Sequence, residues 1–143
     1  MIREAIYSAF FDKIKNVTKF QVASRRLRHW SDVAPADQPA LFVAQRAETV
    51  QPAPGMPPVW EFRADIYIYA NTRGDQSRAP AEILNPILDA VIAALAPSPI
   101  TAGKQTLGGI VEHCWIEGSV QTDEGVLGDQ GVIIIPVVLK VST

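Results

Sequence analysis

One cysteine and two histidines are the residues best equipped for chemistry in this 143-residue chain, and their spacing limits what they can do. Cys114 follows His113 directly. A thiolate nucleophile needs its imidazole base within hydrogen-bond reach. Adjacent residues of a strand point to opposite faces, so this pair cannot act locally as nucleophile and base. A free cysteine in such a setting is more often a small core residue. His29 is remote in sequence, and two histidines are too few for a sequence-visible metal cluster. The stretch TLGGIV, residues 106–111, has paired glycines without the lysine–serine pattern of a phosphate loop, and reads as a turn. TDEGVLGDQG, residues 122–131, sets acids among glycines at a spacing that does not fit a calcium loop. No hydrolase elbow or zinc-protease motif occurs. The expectation is a non-catalytic chain with no cofactor, no catalytic residues and no metal ligands.

The remaining chemistry is charge. RRLRH, residues 25–29, concentrates Arg25, Arg26 and Arg28. One reading has them pairing with acids of a neighbouring subunit; the other is an ordinary solvated basic segment. Thirteen Lys and Arg against fifteen Asp and Glu leave a net charge of −2, so bulk electrostatics recruits neither nucleic acid nor an anionic membrane. Glu61, Arg63 and Asp65 alternate in sign along one strand face. They are either cross-strand pairs, weak at a surface, or registry charges across a subunit interface. With 48% hydrophobic and 20% charged residues, the chain reads as a single folded domain spanning residues 1–143. The single cysteine suits a reducing compartment. The first residues carry Arg3 and Glu4 and lack a signal-peptide apolar core, and no run approaches the ~20 apolar residues of a membrane span. The expected location is cytosolic, at least when the chain is made.

Residues 2–17 carry a helical stripe of Ile2, Ala5, Ile6, Ala9, Phe10, Ile14 and Val17. Residues 20–30 hold a weakly patterned, basic, irregular strand, and SDVAPADQP is a loop. A strand over residues 40–50 begins apolar on both faces and turns polar. QPAPGMPP, residues 51–58, carries four prolines and reads as a protruding excursion unable to pair along its length. VWEFRADIYIYA, residues 59–70, is the cleanest strand: Trp60, Phe62, Ala64, Ile66, Ile68 and Ala70 face one way, Glu61, Arg63, Asp65, Tyr67 and Tyr69 the other. A loop over residues 71–80 precedes a second helix with Leu84, Ile87, Leu88, Val91 and Leu95 on its stripe. That helix either kinks at Pro86 or starts at Asn85, and Ile83 and Leu84 favour the kink because they extend the stripe upstream. A strand over residues 110–121, with Gly118 as a bulge, and a glycine-rich loop over residues 122–130 lead to the final strand. The expected fold is α+β: a two-layer sandwich of a mainly antiparallel sheet of four to five strands with two helices on one face.

The closing segment GVIIIPVVLKV, residues 131–141, is apolar on both faces yet contains Pro136, which has no N–H to donate and so belongs at an edge or a bulge. An exposed apolar edge strand is an aggregation hazard. Leaving Val132, Ile134 and Val138 in water would forfeit roughly 1.5–3 kcal/mol for each. Two covers are open: residues 17–30 or the long hairpin of the same chain, or a second subunit. In the second case Val132, Ile134, Pro136 and Val138, with Glu61, Arg63 and Asp65, form the subunit interface, and a head-to-tail contact closes into a ring when its rotation permits.

The order of these elements resembles the tail terminator proteins of long-tailed bacteriophages, also called tail completion or minor tail proteins, with related forms in phage-derived particles. The resemblance runs through PALFVAQ, the proline-rich gap, WEFRADIYIYANT, LNPILDAVIAAL, LGGIVEHCWIEG and QGVIIIPVVLKV. It covers nearly the whole chain and rests on a pattern of elements, not a catalytic signature. It implies a structural virion protein whose hexameric ring caps the tail tube, stops tube polymerisation and provides the head–tail joining surface. The implied partners are further copies of the chain, the tail tube protein and the head–tail connector or neck protein. The resemblance also implies that DNA passes through the ring without sequence-specific binding, with Arg25, Arg26 and Arg28 as candidates to border that channel, and that no membrane is involved. The implied location is the host cytoplasm during assembly and then the virion tail. Pro54, Met56 and Pro57 at the proline-rich tip become contacts to tube or neck; the plain alternative is a tolerated surface loop. The rivals are a head–tail neck or stopper protein and, from another class, a small dimeric α+β enzyme or ligand-binding domain.

Overall fold

A computed structural model describes residues 2–72, 79–125 and 129–142. Parts of the two loops expected at residues 71–80 and 122–130 therefore lie outside the described residues. The element order is α1 (Arg3–Ile14), β1 (Val22–Ser24), β2 (Ala40–Ala53), β3 (Met56–Asn71), α2 (Ala81–Ala94), β4 (His113–Ile116), β5 (Gln121–Asp123) and β6 (Gln130–Ser142). The strands form one six-stranded sheet in the order β1-β2-β3-β6-β4, with β5 also paired to β6. All pairings are antiparallel except β1 with β2. The fold is α+β as expected, with one or two more strands than the sequence indicated. Among the described residues no helix is long and apolar enough to cross a membrane.

Both helices contribute to one core. Ile6, Tyr7, Phe10 and Ile14 of α1 and Leu84, Ile87 and Val91 of α2 cluster with Phe62, Ala64, Ile66 and Ile68 of β3 and Ile133, Ile135, Val137, Leu139 and Val141 of β6. The period-2 alternation of β3 thus sets its inner face. Tyr7 joins this core while Ile2 remains 71% exposed, so the α1 stripe is rotated from the one expected. Helix α2 begins at Ala81 and carries Pro86 inside it, so it does not start at Asn85. Ile83 and Leu84 belong to the helix, as their place on the stripe required.

Two expectations are corrected. The first concerns β6, which is not an edge strand: β3 pairs along one side, and β4 and β5 along the other. The expected strand over residues 110–121 is broken into β4 and β5, with residues 117–120 standing opposite residues 135–136. The Pro136 carbonyl accepts from Glu117 N–H at 3.2 Å. In an extended strand a residue's N–H and C=O point to the same side, so the missing N–H of Pro136 faces this break and costs the β3–β6 ladder nothing. Gly118 sits in the break at φ +111°, where a Cβ would lie 3.3 Å from Pro136 Cγ. The proline and the interruption fit each other.

The second correction concerns residues 51–58. They do not leave the sheet: β2 and β3 pair to Ala53↔Met56, with a register shift between Gln51 and Ala53 that accommodates the prolines. Only Pro54 and Gly55 remain as the turn. Pro54 is suited to the first central position, and Gly55, at φ +73°, supplies the positive φ a type II turn needs at the second. The hairpin still projects, because β6 pairs with β3 only from Val59↔Ser142 inward.

Candidate functional site

The outer face of the sheet carries a second, smaller cluster. Val33, Ala40, Phe42, Tyr69 and Val132 are buried there, with Val22, Trp30, Tyr67 and Ile134 packed against them. Residues 22–37 supply this cover: β1 runs parallel to β2, and two short 3-10 turns, Trp30–Asp32 and Pro35–Asp37, fold back over the sheet. Polar side chains pin the fold-back. Tyr69 Oη donates to the Arg28 carbonyl at 2.8 Å. Gln38 Nε2 donates to the Val33 carbonyl at 3.1 Å and to Gln130 Oε1 at 2.8 Å, and Gln130 Nε2 donates to the Trp30 carbonyl at 3.2 Å. Burial, then the neighbouring Tyr67, holds the Tyr69 phenol above its ordinary range, so it stays a donor.

The fold-back does not reach β5, and the space between them is a groove of about 590 Å³. Leu27, Arg28, His29 and Trp30 form one wall and Gln121, Thr122 and Asp123 the other; Tyr67, Tyr69, Val132 and Ile134 line the floor between them. His29 and Trp30 pack against each other with ring centroids 5.1 Å apart and ring planes tilted by 37°. A concave, mainly apolar surface with a few polar groups at its rim is the general form of a binding site.

The four β6 residues expected at a subunit interface divide in two. Val132 is 8% exposed and Val138 only 1% within the single chain. The expectation that they lie open until a second copy covers them is therefore overturned, and the within-chain cover is the one found. Val132 lies under residues 22–37. Val138 is flanked in register by Arg63 of β3 and Trp115 of β4, whose heads converge on Glu117. Arg63 Nη2 donates to Glu117 Oε2 at 3.1 Å and Trp115 Nε1 to Glu117 Oε1 at 3.3 Å. Those two bonds, the Trp115 one first, hold the Glu117 carboxyl below its usual range. Pro136 is half-buried against Gly118. Ile134 is likewise only partly buried, on the groove floor.

The charged row of β3 is engaged within the chain. Asp65 pairs with Arg46 across the β2–β3 ladder at 2.8 Å, and Arg63 lies 3.7 Å from Glu61. Arg46 falls in the register shift between Gln45 and Glu48, and it also bonds Tyr67 Oη. The basic segment is split. Arg25 forms an ion pair with Glu4 and also bonds Ser8 and Gln45, at 3.3 and 3.2 Å. Arg28 donates to the Asp32 carbonyl at 2.6 Å. Arg26 is exposed, its backbone N–H bonding Ser24 Oγ at 3.0 Å. Pro54, Met56 and Pro57 stand exposed at the hairpin tip, Met56 at 70%. Cys114 is fully buried, and burial pushes its thiol up to about 12, so it is no nucleophile at neutral pH. The His113 Nδ1 atom is occupied by the Gln105 N–H at 3.1 Å.

The groove is the feature that sequence reasoning missed. Its signal was present in Tyr67 and Tyr69, two large rings on the otherwise charged face of β3, but their cover comes from a segment with little periodicity of its own. No protein-family model and no curated protein matches this chain.

Proposed function

We propose that this chain is a structural, self-assembling protein that forms a ring on the end of a phage tail tube. There it halts tube growth and offers the surface to which the head connector joins. The observation that carries this reading is the β2–β3 hairpin. Two strands of 14 and 16 residues extend past the rest of the sheet to an uncharged tip stiffened by prolines, with apolar side chains in the open. A solitary chain gains nothing from such a tip; a chain that docks onto others does, because prolines lower the entropy lost on docking. The element order resembling tail terminator proteins supports the same reading. The mechanism is geometric: the ring binds the terminal face of the tube without reproducing that face for the next ring. A neck or stopper protein differs from this only in the partner met. The groove favours one second reading, a small ligand-binding domain, since its volume is that of a ligand site.

The test is to add the purified chain to polymerising tail tubes and measure tube lengths by negative-stain microscopy. Shorter tubes carrying a ring of density at one end are expected. An unchanged length distribution refutes the capping role.

A further inference from the structure

We propose that the hairpin tip of one copy seats in the aromatic groove of the next copy. This deepens the ring reading and rests on it. The first argument is chemical match. No charged residue occurs from Thr49 to Trp60, and Val50 and Met56 within that stretch are 47% and 70% exposed. A charge-free projection of this kind buries no unpaired charge against a floor made of Tyr67, Tyr69, Val132 and Ile134, whereas a tip bearing Lys or Asp would. Four of the tip residues are prolines, which offer carbonyl acceptors without N–H donors. The groove wall answers with donors: the Arg28 guanidinium and the Trp30 indole, whose nitrogen has no hydrogen bond among the described residues.

The second argument is reach. Tip and groove lie at opposite ends of the same continuous ladder. From Met56 to Tyr67 is eleven residues of strand, about 35 Å at ~3.3 Å per residue. Pairing holds β3 against β2 along that stretch and against β6 from Val59 inward, so the tip cannot fold back into its own groove. A second copy can bring its tip there. The contact joins two different surfaces and is therefore heterologous, the kind that closes into rings or runs on as filaments.

The test uses two single variants of the whole chain. Met56→Lys charges the tip and Ile134→Asp charges the groove floor; Met56 is 70% exposed and Ile134 only partly buried, and circular dichroism checks that each variant folds. Self-association is measured by light scattering and sedimentation. The wild-type chain is expected to assemble, and each variant to associate roughly a hundredfold more weakly, as when one partner of a buried contact is left charged and unpaired. Mixing the two is decisive. The Ile134→Asp copy keeps an intact tip and the Met56→Lys copy an intact groove, so a one-to-one dimer that grows no further is expected. The double variant should regain association through the opposite charges. Assembly unchanged in either single variant overturns the inference, as does a wild-type chain still monomeric near millimolar concentration, a Kd too weak for specific assembly. Loss in Ile134→Asp alone, with Met56→Lys unaffected, likewise overturns it. Rings that survive both changes while tubes are still capped sink this contact and leave the capping reading intact; unchanged tube length with tip-in-groove assembly present does the reverse.

Discussion

Val138 and Ile134 lie four residues apart on the same face of β6, and the same substitution should affect them very differently. Val138 is 1% exposed beneath the Arg63–Glu117–Trp115 arch. Val138→Asp removes the burial of a valine, about 1.5–3 kcal/mol, and adds a carboxylate beside Glu117. Desolvating that group costs a further ~2 kcal/mol or more. A total of about 4 kcal/mol is a large part of the 5–15 kcal/mol that holds a domain of this size. With a urea slope of about 2 kcal/mol/M, the midpoint should fall by about 2 M. Ile134→Asp loses only part of a side chain's burial and leaves its carboxylate hydrated at the groove. That variant should cost about 1–1.5 kcal/mol and move the midpoint by less than about 1 M. Urea titration followed by far-UV circular dichroism and tryptophan fluorescence reads both. Near-equal midpoints, or a Val138→Asp chain within about 1 kcal/mol of the parent, would mean that the arch does not seal Val138 and that this face lies open.

Two further outcomes follow from particular contacts. A Cβ at Gly131 would lie 2.6 Å from Leu84 Cδ1 and 3.1 Å from its Cγ, and Leu84 of α2 is fully buried. Gly131→Ala should therefore cost about 1–3 kcal/mol by overpacking and lower Tm by several degrees; an unchanged Tm would show that α2 sits further from β6. The Glu4, Glu112 and Glu117 carboxyls are all held below the usual glutamate range, with Arg25, Ser142 and Trp115 respectively as the leading partners. A carboxyl depressed in the folded state adds stability above its unfolded pKa, and that stability is lost as pH falls through the folded value. Tm should thus drop on acidification from about pH 5 to pH 3, less steeply in Arg25→Gln, which takes away the main partner of Glu4. Identical slopes would mean the Arg25–Glu4 pair does not form in solution.

Much of the fold was legible because period-2 patterning is a local property. Phe62, Ala64, Ile66 and Ile68 alternate with charged or tyrosyl residues, and Ile133, Ile135, Val137 and Leu139 share one face; both sets meet the helices. What was not legible depends on pairing between distant segments. Pro136 signals an edge only if its N–H side would otherwise face a continuous neighbour, and nothing local says that β4 and β5 break opposite it. Apolar residues on both faces of β6 then have their ordinary meaning, a strand covered on both faces. The prolines of residues 51–58 argued against pairing, yet Pro54–Gly55 is itself turn chemistry, and a register shift absorbs the others. The groove was hidden for the same reason: its floor is patterned, but its wall is an irregular segment held by Gln38, Tyr69 and Gln130.

Burying Val132 and Val138 within one chain moves the question of where assembly energy would come from. A two-sided apolar strand left open would favour contact between like surfaces, which on a two-fold axis ends at a dimer. With β6 sealed, the apolar side chains that the hairpin leaves open are Met56 and Val50 at one end, and the partly open groove floor around Ile134 lies near the other. Unlike surfaces at separated ends cannot satisfy each other within a dimer unless both contacts form at once, and a ladder about 35 Å long makes that a geometric demand on the angle between copies. In the proposed assembly, copies related by a rotation that fails this demand would add a third, then a fourth, until the turn closes or the series runs on as a filament. The angle at which the tip enters the groove, set by the twist of β2 and β3, would then determine the number of subunits. Changing that twist, by deleting the register shift at Arg46 and Ala47 for example, should alter ring size before it alters the strength of any single contact.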